Sequence, residues 1–320
     1  MSEARELKEA QKLIALNQKE RALPLLWKLY ASNNPDVKLE AGLSLLVALD
    51  QLTENKKLLE ITEETIKVAS NLGRKEVRAY LLSKKAIFLL ADLGFLIYRR
   101  RNLNLASGVF KWIDFSLEKD KKEYEAIIVK CDQLDKKISA VEAEVFDLVQ
   151  STANHYFRGH IFMSLGEVYF SRFLNNHLDL MIGGKWRSKI CNIYFVRRWK
   201  LDKLINYDRD ARRKLNISKE KCIMFFERAI SEFKSGNHEA DLAHAFYNFA
   251  VKFTLMFRFI KARKYLNQAK LKAEARNEIT LLTQIGELES RIKDKYRHSR
   301  NYVEEFGLDL PRGLRAKGHQ

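Results

Sequence analysis

The sequence predicts an all-α fold, on three observations. Proline occurs only at Pro24, Pro35 and Pro311, leaving the 275 residues from 36 to 310 without one. Glycine is scarce, with 13 in 320 residues. Apolar residues recur at three- and four-residue intervals along most of the chain, the period of an amphipathic helix. Sandwiches and barrels need a turn about every 8–12 residues, built largely from Gly and Pro, so the composition excludes them. No glycine-rich loop follows an apolar strand-like run, which argues against Rossmann and P-loop enzymes. With 46% hydrophobic and 31% charged residues, there is material for a packed core, and the length suits one large domain or two ordinary ones.

Taken in order, Leu7, Ala10, Leu13 and Ile14 share the first helical face, and Asn17-Gln18 interrupts it. Ala22, Leu25, Leu26 and Leu29 form the next, ended by Ser32-Asn33-Asn34-Pro35, because proline disfavours helical backbone in the residue before it. Asp36 is the expected cap of a helix with Leu39, Leu43, Leu46 and Leu49 at its core, and Thr53 of one running to Asn71-Leu72-Gly73, where glycine supplies a left-handed stop. Helices and breaks alternate at about 17 residues, so a pair occupies about 34. Ala86–Tyr98, interrupted by Asp92, is the longest apolar stretch at 13 residues. A membrane-spanning helix needs about 20, so no span is expected.

From 119 to 150 the pattern tightens. Tyr124, Ile127, Cys131, Leu134, Ile138, Val141, Val145 and Leu148 alternate by three and four, a heptad seam. Two readings stand: a coiled coil with a partner or a second copy through 124–148, or one long helix packed on its own neighbours. Cys131, Cys191 and Cys222 make no C-x-x-C pair. Together with a charged N-terminus, they predict reduced thiols and a cytoplasmic location.

Phe246, Phe249, Ala250 and Phe253, followed by Ala262, Leu266 and Ala269, carry large and small residues at the spacing of two closely crossing helices. This segment resembles a tetratricopeptide repeat. A second copy is split: Phe162, Leu165, Gly166 and Tyr169 match the first helix, and Cys222, Phe226 and Ala229 the second, with 52 residues between Tyr169 and Cys222 where the family has 8. Weaker copies are Leu7/Ala10/Ile14 with Ala22/Leu26/Leu29, and the start at Leu82, Ala86 and Leu89. A last first-helix without its partner holds Leu282, Ile285 and Gly286. The resemblance implies a degenerate α-solenoid of antiparallel helix pairs. Its expected divisions are N-terminal repeats at 1–118, the heptad helix at 119–150, basic repeats at 151–300 with an insertion at 170–221, and a tail at 301–320. It also implies a non-enzymatic scaffold that binds protein, with Asn248 and Lys252 as candidate contacts. Asn248 occupies one asparagine position of the carboxylate clamp found in some members. Its companion positions hold Met163 and Glu167, then Leu281 and Ile285, so capture of a C-terminal carboxylate is not expected.

The remaining chemistry is sparse. His238 and His244 are six apart where a zincin helix needs four, and Gly183-Gly184-Lys185 lacks P-loop spacing, so neither metal, cofactor nor catalytic group is expected. The charge map says more. Of the net charge of +17, residues 151–300 carry +15, which makes a field that draws polyanions. Residues 185–214 hold 11 basic and three acidic side chains among five aromatics. Lys185, Trp186, Arg187, Lys189, Arg197, Arg198, Trp199, Lys200, Arg209, Arg212, Arg213 and Lys214 are the candidate nucleic-acid contacts. Guanidinium groups grip phosphate, and aromatic faces stack on unpaired bases. RNA or single-strand binding is the alternative function. Docking of the insertion onto the helical stack and recognition of an acidic protein remain beside it.

Overall fold

The computed structural model describes residues 2–293 apart from 17, 50, 111–116, 191–200 and 257. Within helices, it describes side chains except at 51–53, 98, 100–110, 117–122, 124, 177–190, 201–209 and 211. The described residues form eleven α-helices and no strand: α1 (Glu3–Ala15), α2 (Lys19–Tyr30), α3 (Pro35–Ala48), α4 (Gln51–Asn71), α5 (Lys75–Phe110), α6 (Leu117–Gln150), α7 (His155–Ile190), α8 (Leu201–Ser235), α9 (Glu239–Leu255), α10 (Phe259–Ala275) and α11 (Ile279–Lys293). They divide into two compact units, Met1–Phe157 and Arg158–Gln320.

In the first unit, Ala10, Ala22, Leu26, Leu29, Leu45 and Leu58 make one fully buried cluster. Small residues let α1 and α2 approach, and Lys28 pairs with Glu6 at 2.8 Å across them. The helix stops follow backbone chemistry, with two departures from the sequence reading. Asn34, not Asp36, caps α3: its side-chain oxygen accepts from the Asp36 and Val37 amides, and Pro35 takes the first helical position, where its missing N–H costs nothing. Helix α4 begins at Gln51, ahead of Thr53, and bends at Glu54, whose φ of −124° is not helical. Gly73 does end the following turn with φ of 67°.

Helices α5 and α6, of 36 and 34 residues, pack along each other. Ile127, Cys131, Ile138 and Val145 are buried, and Leu134, Val141 and Leu148 are half-buried. The heptad seam is therefore covered within this unit. Arg78 pairs with Glu144, and Arg99 with Glu123 at 2.6 Å.

In the second unit the residues of the repeat pattern form the core. Phe246, Phe249, Ala250, Phe253, Ala262, Leu266 and Ala269 are all buried, as are Phe162, Leu165, Gly166, Tyr169, Cys222, Phe226 and Ala229. Their rings connect three helices: Phe226 stacks on Phe249 at 5.1 Å, and Phe249 meets Tyr265 at 4.5 Å. Gly166 is required by the Phe226 ring, since a Cβ there would lie 2.6 Å from it. The last helix departs from the expectation. Gly286 is exposed with open space around it, and Leu281, Ile285, Leu288 and Ile292 form the buried stripe. Asn237 and Asn277, with φ of 55° and 54°, end α8 and α10 in the left-handed conformation glycine usually supplies.

Candidate functional site

The stretch read as an insertion, 170–221, falls in the C-terminal part of α7 and the N-terminal part of α8 where it is described. Helices α7 and α8 have 36 and 35 residues, against 17 each for α9 and α10. At 1.5 Å per residue that is about 54 Å against about 26 Å. Lys185, Trp186, Arg187 and Lys189 lie in the last turns of α7, and Arg209, Arg212, Arg213 and Lys214 in the first half of α8. Arg197, Arg198, Trp199 and Lys200 lie outside the described residues. The side chains of Arg212, Arg213 and Lys214 are exposed, and none is ion-paired among the described residues.

Beyond these, α8 carries cations in two rows at seven-residue spacing, which brings side chains to nearly the same side every two turns. Lys214, Lys221 and Arg228 form one row. Lys221 Nζ sits 4.9 Å from the centre of the Tyr169 ring and donates to its hydroxyl at 3.3 Å; Arg228 lies 5.7 Å from the Phe162 ring. Both rings belong to α7, so this row clamps α7 to α8 by cation–π attraction. The other row is Arg212 and Lys219. Lys219 donates to Asn216 Oδ1 at 3.4 Å. Burial and then the charge of Arg258, at the start of α10, lower its pKa, while Glu220 pulls the other way.

Helices α7 and α9 meet along a polar row. His160 pairs with Asp241 at 3.0 Å, the Asn248 amide points at Met163 Sδ at 3.9 Å, and Lys252 pairs with Glu167 at 2.7 Å. Lys252 also lies 4.7 Å from the centre of the Phe170 ring. Burial pushes the Asp241 carboxyl up, but the hydrogen bond and charge of His160, with help from His238, outweigh it and hold the group below the usual range. The two candidate protein contacts thus touch Met163 and Glu167, the positions the repeat register set opposite Asn248. Half-buried and already partnered, they are parts of a lined surface rather than free hooks.

Cys222 is fully buried among these helices, and burial, then the charge of Glu167, pushes its thiol pKa well up; an inert packing residue behaves this way. Among the described residues, no group of three or more His, Cys, Asp or Glu could hold a metal ion. No described helix is long and apolar enough to cross a membrane. What the unit does present chemically is cations: some stacked on rings, some paired with carboxylates, some unmatched. The sequence reading missed Lys219, Lys221, Arg228 and Arg258. The heptad spacing from Lys214 to Arg228 was visible in the sequence, but the influence of the Arg258 charge on Lys219 couples residues 39 apart and carries no local signal. No protein-family model and no curated protein matches the chain.

Proposed function

We propose that the chain is a non-enzymatic scaffold that holds a protein partner against a stack of tetratricopeptide-like helix pairs. The observation that supports this best is the direction in which contacts run. Between α7 and α8 they climb one helix while descending the other: Gly166 faces Phe226, Tyr169 meets Lys221 and Asn176 bonds Ser218. Between α9 and α10 the same holds for Glu239 with Lys272, Phe249 with Tyr265 and Phe253 with Lys261. Between α7 and α9 both numbers rise together, from His160–Asp241 through Met163–Asn248 to Glu167–Lys252. Antiparallel contacts within a pair and parallel contacts between first helices are what a solenoid of helix hairpins requires.

The first unit supports the same reading. Glu3 and Glu6 of α1 meet Ser32 and Lys28, while Trp27 and Tyr30 of α2 meet Lys57 and Glu64 of α4. In such a stack the first helices share one face, and Asn248 and Lys252 line it. A photo-cross-linking residue at His244, exposed on α9, is expected to give a discrete protein adduct in cells. The same residue at Ser231, exposed on α8, is the control and should give none. No adduct at either position, or the same adduct at both, refutes the assignment of the face.

A further inference from the structure

Among the described residues the three most exposed large apolar side chains are Ile260 at 88%, Ile279 at 77% and Leu271 at 67%, all on α10 and α11. Single exposed apolar residues are ordinary, but several along one groove form a patch. The helical period sets two stripes. On α10, Ile260, Arg263, Asn267, Lys270 and Glu274 recur at three and four residues, with Leu271 beside Lys270; on α11, Ile279, Leu282, Gly286, Glu289 and Lys293 do the same. Two contacts bring the stripes together. Lys270 pairs with Glu289 at 4.0 Å, and the Glu278 amide donates to the Ala273 carbonyl at 3.0 Å, so α11 starts tight against the end of α10. Gly286 keeps the floor between Leu282 and Glu289 low: no atom of the described residues lies within 4 Å of where its Cβ would stand. At the same offset in α7, the Phe226 ring covers Gly166. Charge is unequal along the groove. Glu274 lies at the end next to the connection between the helices. Arg263, Lys264 and Lys293, exposed and not ion-paired among the described residues, lie toward the other end.

We propose that residues 302–310 of the same chain occupy this groove, with Glu304 and Glu305 against Arg263, Lys264 and Lys293, and Phe306 and Leu308 over Leu271 and Ile279. These nine residues, Tyr-Val-Glu-Glu-Phe-Gly-Leu-Asp-Leu, lie outside the described residues. They hold three carboxylates, no basic side chain and five large aromatic or aliphatic ones. That composition complements a groove with apolar sides and a cationic end. The chain is long enough to return to it. Helix α11 stops at Lys293, and the eight residues 294–301 span up to about 26 Å, more than the roughly 22 Å length of α11. A tether that short presents the segment at roughly millimolar effective concentration, so a contact too weak to hold two molecules together forms within one. Asn248 and Lys252 take no part in this contact, which is independent of the partner held on the face they line.

The test replaces Phe306 of the full chain by photo-reactive p-benzoylphenylalanine, irradiates the purified protein at concentrations about tenfold apart, and maps the products by mass spectrometry. The expected product joins position 306 to the peptides that hold Leu271 or Ile279 within one chain, in equal yield at both concentrations. Glu304→Lys with Glu305→Lys should lower that yield roughly threefold or more, and adding Arg263→Glu with Lys264→Glu should restore it. The yield should also fall as salt rises, because exposed charge contacts are screened. A control, Lys8→Glu with Lys12→Glu on exposed positions of α1, should leave the yield unchanged. If the lysine pair melts below the parent, Glu304→Gln with Glu305→Gln replaces it, with about a twofold loss of yield expected. No cross-link to α10 or α11, a cross-link between chains whose yield grows with concentration, or a yield indifferent to charge reversal overturns the inference.

Discussion

Replacing Gly166 by alanine isolates how closely α7 and α8 are packed. The new Cβ would lie 2.6 Å and 2.7 Å from Cδ2 and Cε2 of Phe226. The ring has nowhere to go: it is fully buried and stacked within 10° of parallel on Phe249, itself held 4.4 Å from Phe253. Overpacking of this kind costs about 1–3 kcal/mol. Alanine also helps, because it stabilises a helix interior over glycine by roughly 0.5–1 kcal/mol. Gly286→Ala in α11 supplies the reference, since nothing lies within 4 Å of its Cβ and only the helical gain operates. The difference between the two variants is then the packing cost alone, about 1–3 kcal/mol, or roughly 2–4 °C in Tm per kcal/mol for a unit of this size. Differential scanning calorimetry reads it, because it resolves transitions of two units. Gly286→Ala should melt above the parent and Gly166→Ala below it. Adding Phe226→Leu to Gly166→Ala should cost less than the sum of the single losses. A Gly166→Ala protein as stable as Gly286→Ala, or strict additivity in the double variant, would refute the close approach.

Three further outcomes are expected. Ile138→Ala, at a fully buried seam position of α6, should cost about 2–5 kcal/mol, by the same amount at protein concentrations tenfold apart; a concentration-dependent melt would mean that the seam serves a second copy. At acid pH, Asp241 and Glu64 are held below their ordinary values: Glu64 by its hydrogen bond from Lys38, and Asp241 because His160 outweighs burial. Their contribution is present above the unfolded values of about 3.9 and 4.3 and is lost as pH falls through the folded ones, so Asp241→Asn should flatten the acid limb of the Tm curve. At alkaline pH the sign reverses for Cys222: its folded pKa is raised by burial, so the unfolded chain ionises first and stability declines above about pH 8.5. Cys222→Ala should remove that decline, and in a Cys191→Ser background the native protein should resist thiol reagents that modify it in urea.

Much of the core was legible because residue size and spacing decide which side of a helix can pack closely. Large and small residues at fixed offsets identified Phe246 through Ala269 and both halves of the split copy, and all proved buried. The seam of α6 was legible for the same reason, since period alone decides which side of a helix is apolar. Terminal chemistry was less so. Asn34 and Asp36 are both good caps by type, and the placement of Pro35 at the first helical position selects between them. Asn277 acts where glycine is the usual sign, so the end of α10 had no glycine to mark it, and at the end of α8 the left-handed residue is Asn237 rather than the neighbouring Gly236. Gly286 misled in the opposite direction, because a small residue at the right offset looks the same whether it faces a neighbour or open space. Of the cations, composition located the excess charge. It could not show that Lys252 is matched by Glu167 across two helices while Lys219 lies under the charge of Arg258.

The pairing of α5 with α6 also constrains how the chain can change length. A heptad seam is nearly blind to a slip of seven residues, because each apolar residue then meets another like itself. The two ion pairs are not blind to it. Arg78 and Arg99 are three heptads apart on α5, and so are Glu123 and Glu144 on α6, so one register satisfies both pairs at once. Exposed pairs contribute only about 0.2–1 kcal/mol each, but a slip forfeits both together. Insertions or deletions between Arg78 and Arg99 are therefore tolerated when they come in sevens and are matched between Glu123 and Glu144. Any other length change rotates the apolar side chains away from their neighbours, so these two stretches must gain or lose residues in step, while the helix ends beyond them remain free to vary.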